Sequence, residues 1–297
     1  MSAAARLIPY IALMQRIMPA KLLPVLTKSI GRMLANIQKK RRRVLQRNLS
    51  LIGVQATQDR ITRTIENWTY SLSDQLSSLW FSKSKLQGMV QDCWSHNLNQ
   101  ALLMKRGVVL LTAHLGNYEL AGSYLASFDL PVYAVVEDIP SGHTQVFNRI
   151  RRRFGMGVVG YSDVPRMLKI LRLRKILVLL ADRDLEGTGV CVPFGKGIRR
   201  VPVGPALLAL RTGACIQTGY FVWEKNRKSY RCVINPVLEL KPKGSLKKKT
   251  VSITQAISEE LVAAIRSYPD QWFVFQDEWG SAEPCPPQPP CPPQKSF

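Results

Sequence analysis

The sequence predicts an α/β fold: a mixed, partly parallel sheet flanked by helices and preceded by a helical N-terminal region. From residue 107 onward, short apolar runs alternate with stretches of helical period, a pattern typical of layered α/β proteins. Hydrophobic residues fill 46% of the 297 positions, enough for a sizeable core. We therefore expect amphipathic or hydrophobic helices in residues 1–55, an α/β domain in 56–280, and a disordered tail in 281–297.

Residues 7–26 are apolar, but Arg16, Lys21 and three prolines interrupt them. A helix that spans a bilayer needs about 20 predominantly apolar residues. An interfacial or re-entrant segment and a packed core segment both fit this pattern better than a true span does.

Residues 28–49 have the pattern of a basic amphipathic helix, with apolar residues on one face. The opposite face carries a basic cluster formed by Lys39, Lys40, Arg41, Arg42 and Arg43. Each basic residue close to an anionic bilayer contributes about 1 kcal/mol to binding. We predict that this N-terminal helical region binds the surface of a membrane with anionic lipids; a solvated charged face is the alternative.

The elements of the α/β domain follow in order. A helix capped by Thr57 comes first and carries one apolar stripe. We predict strands at residues 108–113, 132–136, 176–181, 216–222 and 231–237. Helices are predicted at residues 118–127, 144–154, 164–173, 204–212 and 252–267.

The G-x-G-x-x-G at residues 155–160 follows a helix rather than a strand, which favours a helix-to-strand turn over dinucleotide binding. The prolines after Trp279 favour an extended tail, with a polyproline ligand as the alternative.

The first of these strands runs directly into His114. Parallel sheets bind their ligands at the carboxyl ends of the strands. Gly116 permits a tight turn, and a helix begins at or just after Asn117, so its positive end points to the same place. These features make His114 a candidate catalytic residue.

Glu119 lies one turn into that helix, and we expect its carboxylate to reach the imidazole of His114 and fix its tautomer. The chain contains no G-x-S-x-G motif that would supply a nucleophile. We therefore predict direct transfer, in which His114 deprotonates an acceptor hydroxyl that then attacks a carbonyl carbon.

Residues 107–119 resemble the H-x4-D/E block of the glycerolipid acyltransferase superfamily. More narrowly, they resemble the late acyltransferases of bacterial lipid A biosynthesis and the relatives that acylate phosphatidylinositol mannosides. Further blocks of similarity are residues 181–185, 192–195, 203–214 and 268–272. The resemblance implies transfer of a fatty acyl group from an acyl carrier protein or acyl-CoA thioester to a hydroxyl of a glycolipid or phospholipid. It also implies the cytoplasmic face of the bacterial inner membrane, with peripheral or shallow insertion, and neither cofactor nor metal.

The same resemblance assigns residues. It implies His114 as the base, Glu119 as its orienting carboxylate, and Asp182 or Asp184 as an acidic residue near the histidine, with a surface ion pair as the alternative for the last two. One arginine among Arg149, Arg151, Arg152 and Arg153 is expected to bind a phosphate of donor or acceptor. Substrate contacts are further expected from Gly116, Asn117, Arg183 and Asp184. Residues 136–140 lack the Asn-Pro pattern of the enterobacterial lipid A enzymes, which leaves the acceptor open.

The excess of basic residues raises the question of which anionic partner the protein binds. Lysine and arginine number 42 against 20 aspartates and glutamates, giving a net charge of +22 that requires an anionic partner. A nucleic-acid-binding module fits the charge, but no recognised motif accompanies the basic runs, and such a module leaves His114 and Glu119 unexplained. We expect no nucleic acid partner. The alternative to an acyltransferase is a non-catalytic protein that binds membrane lipids or nucleic acid.

The six scattered cysteines predict reduced thiols.

Overall fold

The computed structural model describes residues 3–19, 21–137, 142–224, 227, 229–277 and 279. The strands in these residues are β1 (Val90–Cys93), β2 (Val108–Thr112), β3 (Val132–Val136), β4 (Gly157–Gly160), β5 (Ile176–Leu180), β6 (Val190–Phe194), β7 (Gly197–Val201), β8 (Cys215–Trp223) and β9 (Tyr230–Ile234). Seven of them form one sheet in the order β1-β9-β8-β2-β5-β3-β4, while β6 and β7 pair as a separate antiparallel hairpin.

The large sheet is parallel except for the β8–β9 pair. The predicted fold class, a mixed and partly parallel sheet flanked by helices, is therefore confirmed. The helices are α1 (Ala3–Ile17), α2 (Leu22–Ile37), α3 (Lys39–Leu51), α4 (Gln58–Ser77), α5 (Lys83–Gly88), α6 (Ser95–Leu103), α7 (Tyr118–Ala126), α8 (Gly142–Arg153), α9 (Val164–Arg172), α10 (Gly204–Thr212) and α11 (Leu246–Ser267), with 3-10 turns at Ser78–Trp80 and Pro269–Gln271.

Strand β2 lies at the centre of the sheet, and all five of its residues are buried. Successive side chains of a strand point to opposite faces. Val109 and Leu111 accordingly pack with α3, α4, α9, α10 and α11, whereas Val108 and Leu110 pack with α5, α6, α7 and α8. The continuous apolar run that predicted this strand therefore contributes side chains to the hydrophobic cores on both faces of the sheet.

Most predicted elements lie within a few residues of their expected bounds. Thr57 caps α4, with its side chain accepting a hydrogen bond from the backbone N–H of Arg60. Helix α11 begins earlier than predicted, at Leu246, because Ser245 caps it. Of the glycines in the G-x-G-x-x-G segment, Gly155 lies in the turn from α8 to β4 with a φ of +91°, whereas Gly157 and Gly160 are the first and last residues of β4.

The prediction of one continuous basic helix over residues 28–49 is wrong. The chain leaves the helical conformation at Gln38 (φ −90°, ψ 61°), which separates α2 from α3. On the two sides of the break, α2 and α3 make separate packing contacts. Gly31 brings α2 against α4, where an added Cβ would lie 2.8 Å from the Cα of Glu66. Leu45 and Leu49 of α3 are fully buried in the main core.

Three further findings concern the ends of the chain and the cysteines. Within the described residues, no helix is long and apolar enough to cross a membrane. The predictions for the proline-rich tail concern residues 281–297, which lie outside the described part of the chain. Cys93, Cys215 and Cys232 are free, but Cys191 is disulfide-bonded, so the prediction of reduced thiols is wrong at that position.

Candidate active site

His114 and Asp182 meet at the carboxyl edge of the sheet. Strands β2 and β5 are parallel neighbours, with Thr112 opposite Leu180. Two residues beyond this register, the Nδ1 atom of His114 lies 2.8 Å from Oδ1 of Asp182. The Oδ2 atom of Asp182 also accepts a hydrogen bond of 3.0 Å from the backbone N–H of His114. One carboxylate thus holds both the backbone and the imidazole of the histidine.

Asp182 is completely buried. Burial on its own would raise the pKa of this carboxyl. The charge and hydrogen bond of His114 oppose this effect, as do the positive charge of Arg199 and a hydrogen bond from Trp272. Together they hold the pKa of Asp182 well below its ordinary value, so the group is a carboxylate.

An ionised Asp182 can only accept hydrogen bonds, so the Nδ1 atom of His114 carries the proton in this contact. In the neutral imidazole, the Nε2 atom then has the lone pair that a general base requires. Tyr118 packs edge-on against the imidazole, with ring centroids 5.1 Å apart. The histidine side chain is 16% exposed and lines a cavity, so a substrate can reach it.

Among the described contacts, Glu119 makes its hydrogen bond with Arg151 and not with His114, contrary to the contact expected from its spacing. Its Oε2 atom accepts a hydrogen bond of 2.6 Å from the guanidinium of Arg151, and this pair is mostly buried. Arg151 also donates to the side chain of Asn148. The reason for the difference is the sheet register, which brings Asp182 to the Nδ1 side of the imidazole, whereas α7 directs Glu119 toward α8.

The other predicted arginines of α8 lie elsewhere. Arg149 and Arg152 line a second cavity of about 310 Å³, together with Gln145 and Asn148. Arg153 donates to the carbonyl oxygen of Phe81 at 3.2 Å. Of the four candidates, only Arg151 lies in the wall of the cavity that contains His114.

Gly116 and Asn117 shape the turn after His114 and do not line the cavity among the described residues. Gly116 has a φ of +63°, and an added Cβ would lie 2.0 Å from the carbonyl oxygen of Phe221, so no other residue fits there. Asn117 is fully buried and caps α7 by accepting from the backbone N–H of Leu120. The geometry therefore gives these two residues a positioning role, and their expected substrate contacts stay a prediction.

The cavity next to His114 has a volume of about 740 Å³. Buried Met167, Leu179 and Leu208 form part of its wall, while the exposed side chain of Leu185 also contributes. The charged groups in the wall are Glu119, Glu137, Arg151, Arg183, Asp184, Glu186 and Arg211. Asp184 also accepts a hydrogen bond from the backbone N–H of Gly189, which orders the loop after β5. The cavity wall thus combines apolar side chains with charged groups and the imidazole of His114.

Metal ligation is not indicated by the described side chains, where no group of three or more His, Cys, Asp or Glu residues is arranged to hold an ion. Sequence reasoning did not assign a role to Trp272, whose indole reaches Asp182 from a distant part of the chain. The similarity block at residues 268–272 was the available signal for it.

The sequence as a whole matches a known family of proteins. The sequence model described as bacterial lipid A biosynthesis acyltransferase matches residues 6–281, and the chain belongs to this family. Over 189 residues it is 31% identical to phosphatidylinositol mannoside acyltransferases from Mycobacterium tuberculosis (strains CDC 1551 and H37Rv) and from Mycolicibacterium smegmatis. These alignments cover 62% of this chain and 58% to 60% of the relatives, so the chain spans about three fifths of their length.

Proposed function

We propose that this protein transfers a fatty acyl group from an acyl thioester to a hydroxyl of a glycolipid at a membrane surface. The observation that carries the proposal is the His114–Asp182 pair in the wall of a largely apolar cavity of about 740 Å³. Membership of the acyltransferase family and the names of the mycobacterial relatives support it.

In the proposed reaction, Nε2 of His114 accepts the proton of the acceptor hydroxyl as its oxygen attacks the thioester carbonyl carbon. Asp182 stabilises the imidazolium that forms, because its carboxylate is already ionised and bonded to Nδ1. The tetrahedral intermediate then collapses, the carbon–sulfur bond breaks, and the departing sulfur takes the proton from His114. The products are an ester and a free thiol, and the histidine returns to its starting state.

The cavity suits the acyl chain of the donor. Each methylene buried against its apolar wall contributes about 0.8 kcal/mol, so the wall can select the length of the chain. Arg183 and Arg211 line the same cavity, and their positive charges suit the phosphate groups of coenzyme A or of an acyl carrier protein. Either carrier fits this arrangement, and the experiment below compares them.

The acceptor to test first is a phosphatidylinositol mannoside, which is the substrate in the names of the three relatives. Its sugar hydroxyls supply the nucleophile that the His114 mechanism needs. A lipid A precursor, suggested by the description of the family, is the second acceptor to test.

We further propose that α1 and α2 attach the protein to the cytoplasmic face of the inner membrane. Large apolar side chains of these helices are exposed, among them Leu13, Met14, Ile17, Met33 and Ile37. Of the basic cluster, Lys39, Lys40 and Arg43 are exposed. The other two are engaged: the guanidinium of Arg41 stacks on Trp68, and Arg42 binds Gln58. The proposed surface therefore combines apolar insertion with three available charges.

The test uses the full chain, palmitoyl-CoA or palmitoyl acyl carrier protein, and each acceptor in detergent micelles. Mass spectrometry follows the acylated lipid, and a thiol reagent follows the released carrier. We expect ester and thiol in equal amounts, and a loss of about 10² to 10⁴-fold in the His114→Ala variant, with the fold checked by circular dichroism. More than a tenth of the wild-type rate in this variant would contradict the role of His114. Binding to vesicles or DNA without any product would favour the non-catalytic alternative.

A further inference from the structure

Residues 268–274, which we call the C-terminal strap, run alongside the loop that carries His114. The backbone N–H of Phe273 donates to the carbonyl oxygen of His114 at 2.7 Å. The backbone N–H of Gly116 donates to the carbonyl oxygen of Gln271 at 2.8 Å, and Leu115 pairs with Trp272 in an antiparallel bridge. The strap thus fixes the backbone from the carbonyl group of His114 to Gly116.

The strap is itself tied to two other elements. Asp270 forms ion pairs with Arg60 (2.7 Å) and Arg63 (2.9 Å) of α4, and Asn67 donates to its carbonyl oxygen. The side chain of Gln271 accepts from the backbone N–H of Trp223 in β8 and donates to the carbonyl oxygen of the same residue. These contacts hold the strap in a defined position relative to the sheet.

From this position, the strap directs Trp272 at the carboxylate of Asp182. The indole Nε1 donates to Oδ2 at 2.9 Å, and both side chains are completely buried. The same Oδ2 atom accepts from the backbone N–H of His114, while Oδ1 faces the imidazole. Two donors on Oδ2 therefore set the plane of the carboxylate, and this plane determines where Oδ1 points.

We propose that Trp272 is a positioning residue for the His114–Asp182 pair, through the hydrogen bond from its indole to the Asp182 carboxylate. Without this donor, the carboxylate keeps only the backbone bond on Oδ2 and can turn away from the Nδ1–H group of His114. A hydrogen bond to a charged group contributes more than one between neutral groups, so its loss is measurable. The catalytic consequence rests on the proposed acyl transfer, but the effect on the imidazole does not.

The chain contains a matched control. Trp279 also packs against the ring of Phe194, but its indole donates to Asn48 at 2.7 Å and not to Asp182. Trp272 stacks on the same ring of Phe194, with centroids 6.3 Å apart. Trp272→Phe and Trp279→Phe therefore each remove one indole next to Phe194, and only the first removes a donor to Asp182.

The experiment labels the histidines with ¹⁵N and follows them by NMR in wild type, Trp272→Phe and Trp279→Phe. The chain has only three histidines (His96, His114 and His143), and His114→Ala assigns the resonance of interest. We expect the Nδ1–H proton of His114 to exchange with solvent roughly tenfold faster in Trp272→Phe, with wild-type exchange in Trp279→Phe. Acyl transfer by Trp272→Phe should show kcat lowered by about the same factor with KM nearly unchanged. Exchange equal to wild type in a folded Trp272→Phe would overturn the proposal.

Two further outcomes are informative. If wild type transfers no acyl group, but Trp272→Phe still speeds the exchange at His114, the proposed function fails and the positioning role of Trp272 stands. If Trp272→Phe does not fold, the indole N–H of Trp272 is followed in the wild-type protein after ¹⁵N-tryptophan labelling. We then expect its resonance to move as His114 is titrated, and an indole signal unaffected by that titration would overturn the proposal.

Discussion

The Nδ1 atom of His114 lies 2.8 Å from Oδ1 of Asp182, although 68 positions separate the two residues in the chain. The parallel register of β2 with β5 produces this contact. It places each residue of β2 beside the residue of β5 that lies 68 positions later in the chain. Glu119, which is much closer to His114 in sequence, binds Arg151 instead. Asp182 and Glu119 therefore have different partners and, we infer, different tasks.

The first prediction concerns the Glu119–Arg151 pair. Glu119→Gln and Arg151→Gln should each lower kcat/KM, because each removes one charge of a mostly buried ion pair in the cavity wall. The double variant should lose much less than the two separate losses added together, with a coupling energy of about 1 kcal/mol or more. Steady-state kinetics of the three variants checks this, and additive losses would show that the two residues act independently.

The second prediction concerns the acyl chain. Leu208 is buried in the cavity wall, and Leu208→Phe should reduce the space for a long chain. We expect the ratio of kcat/KM for palmitoyl to lauroyl donor to fall at least tenfold, since each excluded methylene forfeits about 0.8 kcal/mol. Leu185→Phe is the matched control, because Leu185 lines the same cavity but is 46% exposed. If the ratio of kcat/KM for palmitoyl to lauroyl donor is equal in Leu208→Phe and Leu185→Phe, the acyl chain does not lie against Leu208.

The third prediction separates the two contributions to membrane binding. Changing Ile17, Met33 and Ile37 to Ser should weaken binding to anionic vesicles at both low and high salt, because apolar insertion depends little on ionic strength. Changing Lys39, Lys40 and Arg43 to Gln should weaken binding by about 3 kcal/mol at low salt. At 1 M salt, where the Debye length is about 3 Å, the second set should bind like wild type.

Vesicle co-sedimentation at two salt concentrations measures both effects. Activity on a short-chain acceptor in solution is the control, and it should survive in both sets, since none of these residues lines the cavity with His114. Wild-type binding by both variants would show that another surface, or no surface, attaches the protein to a membrane.

The fourth prediction concerns pH and stability. Burial raises the pKa of Asp74 to about 7, although the hydroxyl of Tyr230, which donates to it at 2.5 Å, and the charge of Lys85 oppose the rise. In the unfolded chain, an aspartate has a pKa of about 3.9. The folded state therefore binds this proton more tightly, and its stability should fall as the pH rises from about 4 to above 7.

Asp74→Asn should remove this dependence, because a neutral amide still accepts the hydrogen bond from Tyr230. We expect the variant to have a higher melting temperature than wild type at pH 8, and a smaller advantage at pH 5, where only part of the loss in wild type has occurred. Asp59→Asn, at the exposed start of α4, is the control. Melting curves that keep the same pH dependence in wild type and Asp74→Asn would refute the assignment.

Much of the fold could be predicted from local pattern. Residues 108–111 are apolar at every position, which is typical of a central parallel strand, and the structure has β2 there. The short edge strand β1 (Val90–Cys93) and the hairpin β6–β7 were not predicted. Their sequences contain polar residues and a proline, so no strong alternation marks them, and pairing with distant partners fixes them.

The site was harder to predict because its contacts are not local. The position of His114 at the end of a strand followed from the sequence, but the partner of its Nδ1 atom depends on which strand lies beside β2. Spacing along the chain favoured Glu119, and the register favours Asp182. The contact between Trp272 and Asp182 joins residues 90 positions apart and could not be derived from any local pattern.

The most direct test of the central claim is kcat/KM for acyl transfer by Asp182→Asn. The amide keeps the size of the side chain but has an N–H group where the carboxylate has a second acceptor, so it can favour the wrong tautomer of His114. We predict a fall of at least about 10²-fold in a variant whose circular dichroism spectrum matches wild type. A folded Asp182→Asn that retains more than a tenth of wild-type kcat/KM would contradict the account of His114 and Asp182 as a catalytic pair.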